Sequence, residues 1–297
     1  MPRAALIIQN FSYDYVRNVA EYIHKQLKKH IDPDALFLPC DQIDEAEYPD
    51  GTFVFLIGEQ FRSFKRRPEC RYIYFNFSVV AVLGNPFGAS FAGLKAIGRK
   101  RRLLNAKLPL IDMVLDFYPP QTNVLQRKLP CPVLGFDVAI SPLESPVPMS
   151  ERVYDVCFVG GQSTRRRAVC DAILAQGMML SPASGVIIEE IAAQSRCCLN
   201  VHAVRSHHYE APRIIAALST GTPIVSEHTF GLGELADQEF VVQEGTSKLS
   251  LAIMALLSNP DRSEKLGIAA YEWYTSHYLP NAEQKWQNTC QEILRIC

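Results

Sequence analysis

The stretch that decides the fold runs from Cys198 to Glu227 and reads CLNVHAVRSHHYEAPRIIAALSTGTPIVSE. Its apolar start predicts a strand that ends near His202, and a polar loop with three histidines follows. Helical spacing then predicts a helix over residues 210–220, which a Gly-Thr-Pro sequence closes before the next apolar run. A strand, a helix and a second strand in this order predict a parallel βαβ unit.

The same alternation extends outward from this unit in both directions. In the first half, a helix is predicted over residues 15–30, and strands are predicted at 4–8, 35–38, 52–57, 71–75, 110–115 and 132–136. In the second half, strands are predicted at 156–159, 178–180, 197–201, 223–226 and 240–242, and helices at 165–176, 187–194, 210–220, 248–258, 261–276 and 282–296. Both halves therefore predict an α/β domain with a parallel sheet.

The length of 297 residues fits two domains of about 150 residues each. Prolines at positions 142, 146 and 148 exclude a regular element and predict a linker over residues 137–150. We therefore expect an amino-terminal domain over residues 1–140, a second domain over 150–280 and a terminal helix over 281–297. Ligands of open parallel sheets bind outside the carboxyl ends of the strands, so we expect the loops there to face each other across a cleft.

Composition narrows the function classes. Thirty basic and thirty-one acidic side chains give a net charge of -1, so the protein has no overall positive field. We therefore expect no stable nucleic-acid partner. The apolar run at the amino terminus, residues 4–8, is too short for a signal peptide or a membrane span, which favours a cytoplasmic protein. Nine cysteines without C-x-x-C spacing predict neither a disulfide framework nor a zinc site.

A glycine-containing loop follows the first strand of the second domain and leads directly into a helix. Gly160 and Gly161 let a ligand approach the backbone, Ser163 or Thr164 can cap the helix, and the arginines after them can bind phosphate. The loop is neither a dinucleotide fingerprint, because a third glycine is absent, nor a phosphate loop, because Gly-Lys-Ser/Thr is absent. A simple capped turn with solvated arginines is the alternative interpretation.

Residues 198–227 also carry a family resemblance. Leu-Asn-Val-His, Glu-Ala-Pro-Arg-Ile and Ala-Leu-Ser-Thr-Gly-Thr-Pro-Ile-Val-Ser-Glu resemble the donor-binding signature of GT-B fold glycosyltransferases, within them the glycosyltransferase family 1 group related to the spore-maturation protein CgeB. The resemblance extends over about residues 150–280. It implies two Rossmann-like domains that face a cleft, with the donor on the second domain.

The resemblance also implies residue roles. Glu210 matches the carboxylate that binds ribose or sugar hydroxyls of the donor, Arg213 matches the cation that meets the diphosphate, and Gly160, Gly161 and Arg165 match the phosphate-facing loop. The implied activity is sugar transfer from a nucleoside diphosphate sugar to an acceptor hydroxyl, with neither metal nor cofactor.

One departure from the family pattern keeps other functions open. Retaining enzymes of this fold commonly have two glutamates seven residues apart, but position 217, seven after Glu210, is alanine. A non-catalytic module that binds a nucleotide sugar or a polyanion is therefore one alternative. A nucleotide-sugar epimerase is another.

The three histidines of the loop have competing interpretations. Metal binding by His202, His207 and His208 would require convergent ligands, and no His-Glu-x-x-His or Asp-x-Asp motif accompanies them. We therefore predict no metal site. His202 is a candidate donor contact, with a structural or solvated histidine as the alternative.

The general base is expected in the first domain, on the acceptor side. Asp14 follows the first strand, in a loop with Asn10 and Ser12, and Glu59 follows the third strand. Either carboxylate could accept the proton of an acceptor hydroxyl. Asp14 could instead cap a helix that starts at Tyr15.

Basic residues are concentrated in two segments of the first domain. Such runs are usually solvated faces, but they could also dock an anionic acceptor, a polyanion or the inner membrane surface, where the protein would be peripheral. The residues are Arg62, Lys65, Arg66, Arg67 and Arg71, followed by Lys95, Arg99, Lys100, Arg101, Arg102 and Lys107.

The terminal helix is predicted after a break at Pro280-Asn281. Trp286 and Ile293 share one face of it, as do Cys290 and Leu294. In the family resembled, the final helix crosses back to the first domain. We therefore expect this face to be covered by the amino-terminal domain.

Overall fold

A computed structural model describes residues 3–58, 61, 63–77, 91–203 and 210–296, and these divide into two units. The amino-terminal unit contains the described residues up to 139 together with those from 281 onward. The second unit contains the described residues between 140 and 280. Between Phe136 and Pro148, the chain forms no helix or strand.

The amino-terminal unit is built on a parallel sheet with the order β2-β1-β3-β4-β5-β6. Ile7, for example, lies opposite Leu38 on one neighbouring strand and Leu56 on the other. The strands are β1 (Arg3–Gln9), β2 (Leu36–Cys40), β3 (Thr52–Ile57), β4 (Arg71–Asn76), β5 (Met113–Asp116) and β6 (Val133–Gly135). The accompanying helices are α1 (Asn10–His30), α2 (Phe91–Lys107) and α3 (Pro119–Lys128).

The second unit has a smaller parallel sheet with the order β10-β9-β8-β7. Its strands are β7 (Tyr154–Cys157), β8 (Ser195–Asn200), β9 (Ile224–Glu227) and β10 (Val241–Glu244). Its helices are α4 (Thr164–Leu174), α5 (Ile188–Ala193), α6 (Ala211–Ser219), α7 (Leu249–Leu257) and α8 (Pro260–Trp273). The predicted strand at 178–180 is reduced to an isolated bridge between Leu180 and Val156.

Burial of both sheet faces explains why the strand sequences are continuous apolar runs. Residues Ala4 to Ile8 of β1 are all at most 2% exposed, because helices and neighbouring chain cover both faces of a parallel sheet. All strands of a sheet point the same way, so their carboxyl ends lie at one edge, which we call the carboxyl edge. The predicted α/β class with two parallel sheets is confirmed.

The terminal helix α9 (Leu279–Ile296) packs on the amino-terminal unit, as expected. The Trp286 ring is fully buried, with its centroid 5.9 Å from that of Phe75 and 5.5 Å from that of Phe136. Its indole N–H donates to the Asp137 carbonyl at 3.1 Å. Cys290 and Ile293 are buried beside it, whereas Leu294 is 39% exposed, so the covered face is narrower than predicted.

The start of α1 differs from the prediction. The helix begins at Asn10, directly after β1, with a kink at Val16 where φ is -132° and ψ is 27°. Asn10, Ser12 and Asp14 therefore lie within the helix, and the predictions of a loop there and of Asp14 as a cap at Tyr15 are wrong. Residues 10–15, Asn-Phe-Ser-Tyr-Asp-Tyr, alternate polar and aromatic side chains, so the helical spacing of apolar residues starts only at Val16.

The predicted break at Pro280 is also absent. A π-helical turn over Tyr274–Tyr278 leads into α9, and Pro280 is the second residue of that helix. The helical path is continuous from α8 through this turn, so Pro280 lies inside it, and the wider π turn before it accommodates a residue that has no N–H group to donate. Among the described residues, no helix is both long enough and apolar enough to cross a bilayer.

Candidate functional site

Charged side chains gather at the carboxyl edge of the second sheet in two adjacent groups. The first, which we call the Glu210 cluster, contains Glu210, Arg166 and Arg213. The second, the Glu227 cluster, contains Glu227, Arg165 and His202. Both lie where α4 and α6 begin and where β8 and β9 end.

The glycine loop is shaped to receive the guanidinium groups. Gly160 has a φ of 151°, and a Cβ on it would lie 2.9 Å from Nη2 of Arg213 and 3.4 Å from Nη1 of Arg166. Any side chain there would push the arginines away. The Gly161 carbonyl accepts from Nη1 of Arg166 at 3.0 Å. Ser163 caps α4, with its Oγ accepting from the Arg166 backbone N–H at 3.3 Å.

Glu210 is held by both arginines of its cluster. Nη2 of Arg166 donates to both carboxylate oxygens at 3.0 Å, and Nη1 of Arg213 donates to Oε2 at 2.6 Å. The two guanidinium carbons lie over the ring of Phe158, 5.3 Å and 5.0 Å from its centroid. This aromatic face adds a cation–π contact to each arginine.

The charges of this cluster depend on each other. Burial raises the pKa of Glu210, but the positive charges of Arg213 and Arg166 outweigh it and hold that pKa below its ordinary value. Burial lowers the pKa of Arg166, and Glu210 opposes that effect. The side chains of Arg166 and Arg213 are 8% and 7% exposed, against 30% for Glu210. Glu210 is thus the solvent-accessible anion of the cluster, and the two cations that it pairs with are buried.

The Glu227 cluster is almost entirely enclosed. Glu227, the last residue of β9, is 1% exposed, and both its oxygens accept from the Arg165 guanidinium. Its Oε1 also accepts from the backbone N–H of His202 and lies 2.6 Å from Nδ1 of that ring. Arg165 further donates to the His202 carbonyl at 3.1 Å and to Thr246 Oγ1 at 2.7 Å. The network joins α4 to the ends of β8 and β9.

The structure brings all six predicted donor-binding residues to one edge, but their surroundings differ. Glu210 and Arg213 belong to the Glu210 cluster and Gly160 and Gly161 border it, whereas Arg165 and His202 bind Glu227. His202 is 1% exposed, which matches its structural interpretation. The roles of the six in donor binding stay predictions.

Two site residues, Arg166 and Glu227, had no individual role predicted from the sequence. Arg166 is the middle one of three consecutive arginines, and only its inward position on the first turn of α4 distinguishes it. Glu227 ends an apolar strand, and a carboxylate at the carboxyl end of a buried strand was a usable signal. Asn200 at the end of β8 supports the site, because its Oδ1 accepts from Nη1 of Arg213 at 2.7 Å.

Other predicted site residues are only partly described. Glu59, His207 and His208 lie outside the described residues, and Asp14 is placed within α1 without a described side chain. Asp14 and Glu59 stay predictions for the general base. Within the described ranges, no three His, Cys, Asp or Glu side chains are placed to hold a metal ion.

Several residues of the two basic segments form contacts within the amino-terminal unit or are buried in it. Arg66 pairs with Asp112 at 2.8 Å, Arg67 stacks on the Tyr48 ring with its guanidinium carbon 4.2 Å from the centroid, and Lys107 is 2% exposed. By contrast, Arg99, Arg101 and Arg102 on α2 are exposed. Only part of the basic sequence therefore forms a solvated face.

Replacement of Glu227 by glutamine is expected to make unfolding less sensitive to acid. Although burial raises the pKa of Glu227, His202 and Arg165 lower it well below its ordinary value. The stability from this carboxylate is therefore fully present above the unfolded pKa of about 4.3 and is lost as pH falls through the folded value. At pH 7, we expect Glu227→Gln to cost about 3 kcal/mol, because Arg165 loses its counter-ion.

Urea unfolding of wild type and variant at pH 7 and pH 3.5 checks this prediction, with exposed Glu239→Gln as the matched control. The difference between wild type and Glu227→Gln should shrink at the lower pH. A difference that stays constant would show that the charge of Glu227 contributes nothing.

Comparisons with known proteins agree with this architecture. Residues 185–291 match the family model described as glycosyl transferase-like. HepE of Anabaena, solved in complex with UDP-glucose, shares 9% identity and a TM-score of 0.63 over 99% of this chain and 100% of that one. A T4 phage BGT mutant, also with UDP-glucose, shares 12% identity and a TM-score of 0.59 over 98% and 99%.

A third structure is longer than this chain. S. aureus TarM, as a mutant in complex with UDP and other ligands, shares 11% identity and a TM-score of 0.57, and the match covers 80% of this chain but only 55% of TarM. No curated protein matches the sequence significantly.

The protein has the fold of the GT-B glycosyltransferases that it matches, and it contains a glycosyl transferase-like domain, in agreement with the resemblance found in the sequence. The glycosyltransferase-like domain lies over residues 185–291, which include Glu210, Arg213 and Glu227.

Proposed function

We propose that the chain transfers a sugar from a nucleoside diphosphate sugar to an acceptor hydroxyl without a metal ion. In this proposal, the donor binds at the carboxyl edge of the second sheet. The observation that carries it is the pair of buried guanidiniums, Arg166 and Arg213, aimed at the Gly160 loop. The UDP-glucose bound by HepE and by the T4 phage enzyme supports this class of donor.

The reaction breaks the bond between the anomeric carbon and the diphosphate oxygen, and the acceptor oxygen bonds to that carbon. The nucleoside diphosphate leaves with the electron pair, and a general base takes the acceptor proton. Arg166 and Arg213 would neutralise the charge that develops on the leaving group, which is the work a metal ion does elsewhere. Glu210 has lone pairs left to accept from a donor hydroxyl.

The acceptor side of the proposal rests on the amino-terminal unit. Asp14 and Glu59 are the proposed alternatives for the base. The exposed Arg99, Arg101 and Arg102 on α2 support an acceptor that is anionic or that lies at an anionic membrane surface, where the protein would bind peripherally.

Replacing either buried arginine of the Glu210 cluster should weaken donor binding. In calorimetric titration with UDP, we expect Arg166→Gln and Arg213→Gln to lose about 10- to 100-fold in affinity, because each removes a charge-assisted contact of about 1.5–3 kcal/mol. Arg167→Gln is the matched control, since Arg167 is exposed on the same helical turn. Its affinity should stay within about twofold of wild type.

Two further measurements complete this test. Arg166→Lys and Arg213→Lys keep the charge but lose bidentate geometry, so each should bind UDP with intermediate affinity. Titration in EDTA should leave the wild-type affinity unchanged. The proposal fails if a panel of nucleoside diphosphates shows no binding to wild type, or if the three arginine-to-glutamine variants bind UDP equally well.

A further inference from the structure

Glu210 has surroundings that suit a second, exchangeable role. Its carboxylate is gripped by Nη2 of Arg166 and Nη1 of Arg213 in the pattern that arginines also offer to a phosphate group. Carboxylate and phosphate oxygens are therefore competing acceptors for the same donors. With 30% of its side chain exposed, Glu210 is the accessible partner of the three.

The two cations keep their positions without help from Glu210. Arg213 donates from Nε and Nη2 to the Val159 carbonyl at 3.2 Å and 3.0 Å, and from Nη1 to Asn200. Arg166 donates from Nε to the Val201 carbonyl at 2.9 Å and from Nη1 to that of Gly161. These neutral acceptors fix both guanidiniums but leave their charges uncompensated. The pair is thus preorganised for an anion.

Charge matching favours a diphosphate over the carboxylate. The Glu227 cluster is an internal pair, since Glu227 is 1% exposed and binds Arg165 through both oxygens. The Glu210 cluster therefore has two positive charges against one negative charge. A nucleoside diphosphate sugar has two negative charges on its bridging phosphates, so it would neutralise Arg166 and Arg213 completely.

We propose that Glu210 is a resident counter-ion that the donor's phosphate displaces from between Arg166 and Arg213. The released carboxylate then accepts from a ribose or sugar hydroxyl of the same donor. This inference rests on the proposed function and adds a selection step to it. A ligand that has phosphates but no hydroxyls must displace Glu210 without giving it a new partner, so it binds poorly.

The exchange predicts opposite effects of one substitution on two ligands. In Glu210→Gln, the amide competes weakly for the guanidiniums, so inorganic pyrophosphate should bind about tenfold more tightly than to wild type. UDP-glucose should gain less or lose affinity, because the carboxylate that accepts its hydroxyl is gone. The ratio of the two dissociation constants should therefore shift by at least about tenfold towards pyrophosphate, about 1.4 kcal/mol.

Calorimetric titration at fixed ionic strength measures these constants, with Glu244→Gln as the matched control. Glu244 ends β10 at the same carboxyl edge, so the control removes the same charge outside the Glu210 cluster. Glu210→Asp, which keeps the charge on a shorter side chain, is a second control that separates loss of the charge from a folding defect. It should bind pyrophosphate less tightly than Glu210→Gln, and thermal unfolding checks that all variants are folded.

The outcomes separate this inference from the proposed function. If wild type binds UDP through Arg166 and Arg213 but pyrophosphate binds no more tightly to Glu210→Gln than to Glu244→Gln, the exchange is wrong and the proposed function stands. If no nucleoside diphosphate binds, yet Glu210→Gln gains affinity for pyrophosphate, Glu210 is a counter-ion that phosphate displaces, but the nucleotide donor in this inference and the proposed function are both wrong.

Discussion

Replacement of Arg152 by alanine is expected to lower the free energy of unfolding of the second unit by about 3–5 kcal/mol. This side chain is 4% exposed, and its five N–H groups all find acceptors within the unit. Removing it leaves several buried oxygen atoms without a hydrogen-bond donor. Each unpaired oxygen lowers the free energy of unfolding by about 1–3 kcal/mol. The acceptors are the carbonyls of Val147, Ser195, Thr220 and Gly221 and the hydroxyl of Thr222, at 2.8–3.2 Å.

Urea unfolding followed by circular dichroism measures this loss. The matched control is Arg196→Ala, because Arg196 is 43% exposed and makes a single 3.3 Å pair with Asp155. Such a surface pair contributes under about 1 kcal/mol. Equal losses in the two variants would contradict the structural role of Arg152. Burial lowers the pKa of Arg152 to about 10, so the group is still charged at neutral pH and the test needs no pH adjustment.

Arg152 also shows what a sequence pattern can and cannot reveal. Four of its five acceptors are backbone carbonyls, which leave no trace in residue types. The strands were predictable for the opposite reason: burial on both faces demands continuous apolar runs, as in residues Ala4 to Ile8. Helix α2 was not predicted, because the run Gly-Arg-Lys-Arg-Arg within it interrupts any apolar stripe. Helix α3 begins with two prolines, which was an unused signal.

The position of the candidate site could be predicted from the sequence, but the ion-pair partner of each charged residue could not. Gly160, Glu210 and Arg213 follow strands whose carboxyl ends share an edge, and topology alone brings them together. The partner of each charge depends on side-chain direction. Arg165 and Arg166 are adjacent in sequence but sit about 100° apart around α4, so one reaches Glu227 and the other Glu210.

Replacing Trp286 by alanine should destabilise the amino-terminal unit by about 3–5 kcal/mol, the range for a buried aromatic side chain. The ring fills the space between α9, Phe75 of β4 and Phe136, which directly follows β6, and its N–H group donates to the Asp137 carbonyl. Alanine leaves both a cavity and an unpaired carbonyl. Deleting residues 281–297 removes the same contacts, and also the hydrogen bond from Thr289 Oγ1 to the Gly135 carbonyl at 2.9 Å, so its effect should be larger.

The matched control is Leu294→Ala on the same helix, which should cost under about 1 kcal/mol because Leu294 is 39% exposed. Hydrogen exchange locates the effect: protection should fall in β4, β5 and β6 and persist in β7, β8 and β9, since those strands belong to the other unit. UDP binding should survive in Trp286→Ala for the same reason. If protection fell equally in both sheets, or if Leu294→Ala were as damaging, α9 would not be the specific cover of the amino-terminal sheet.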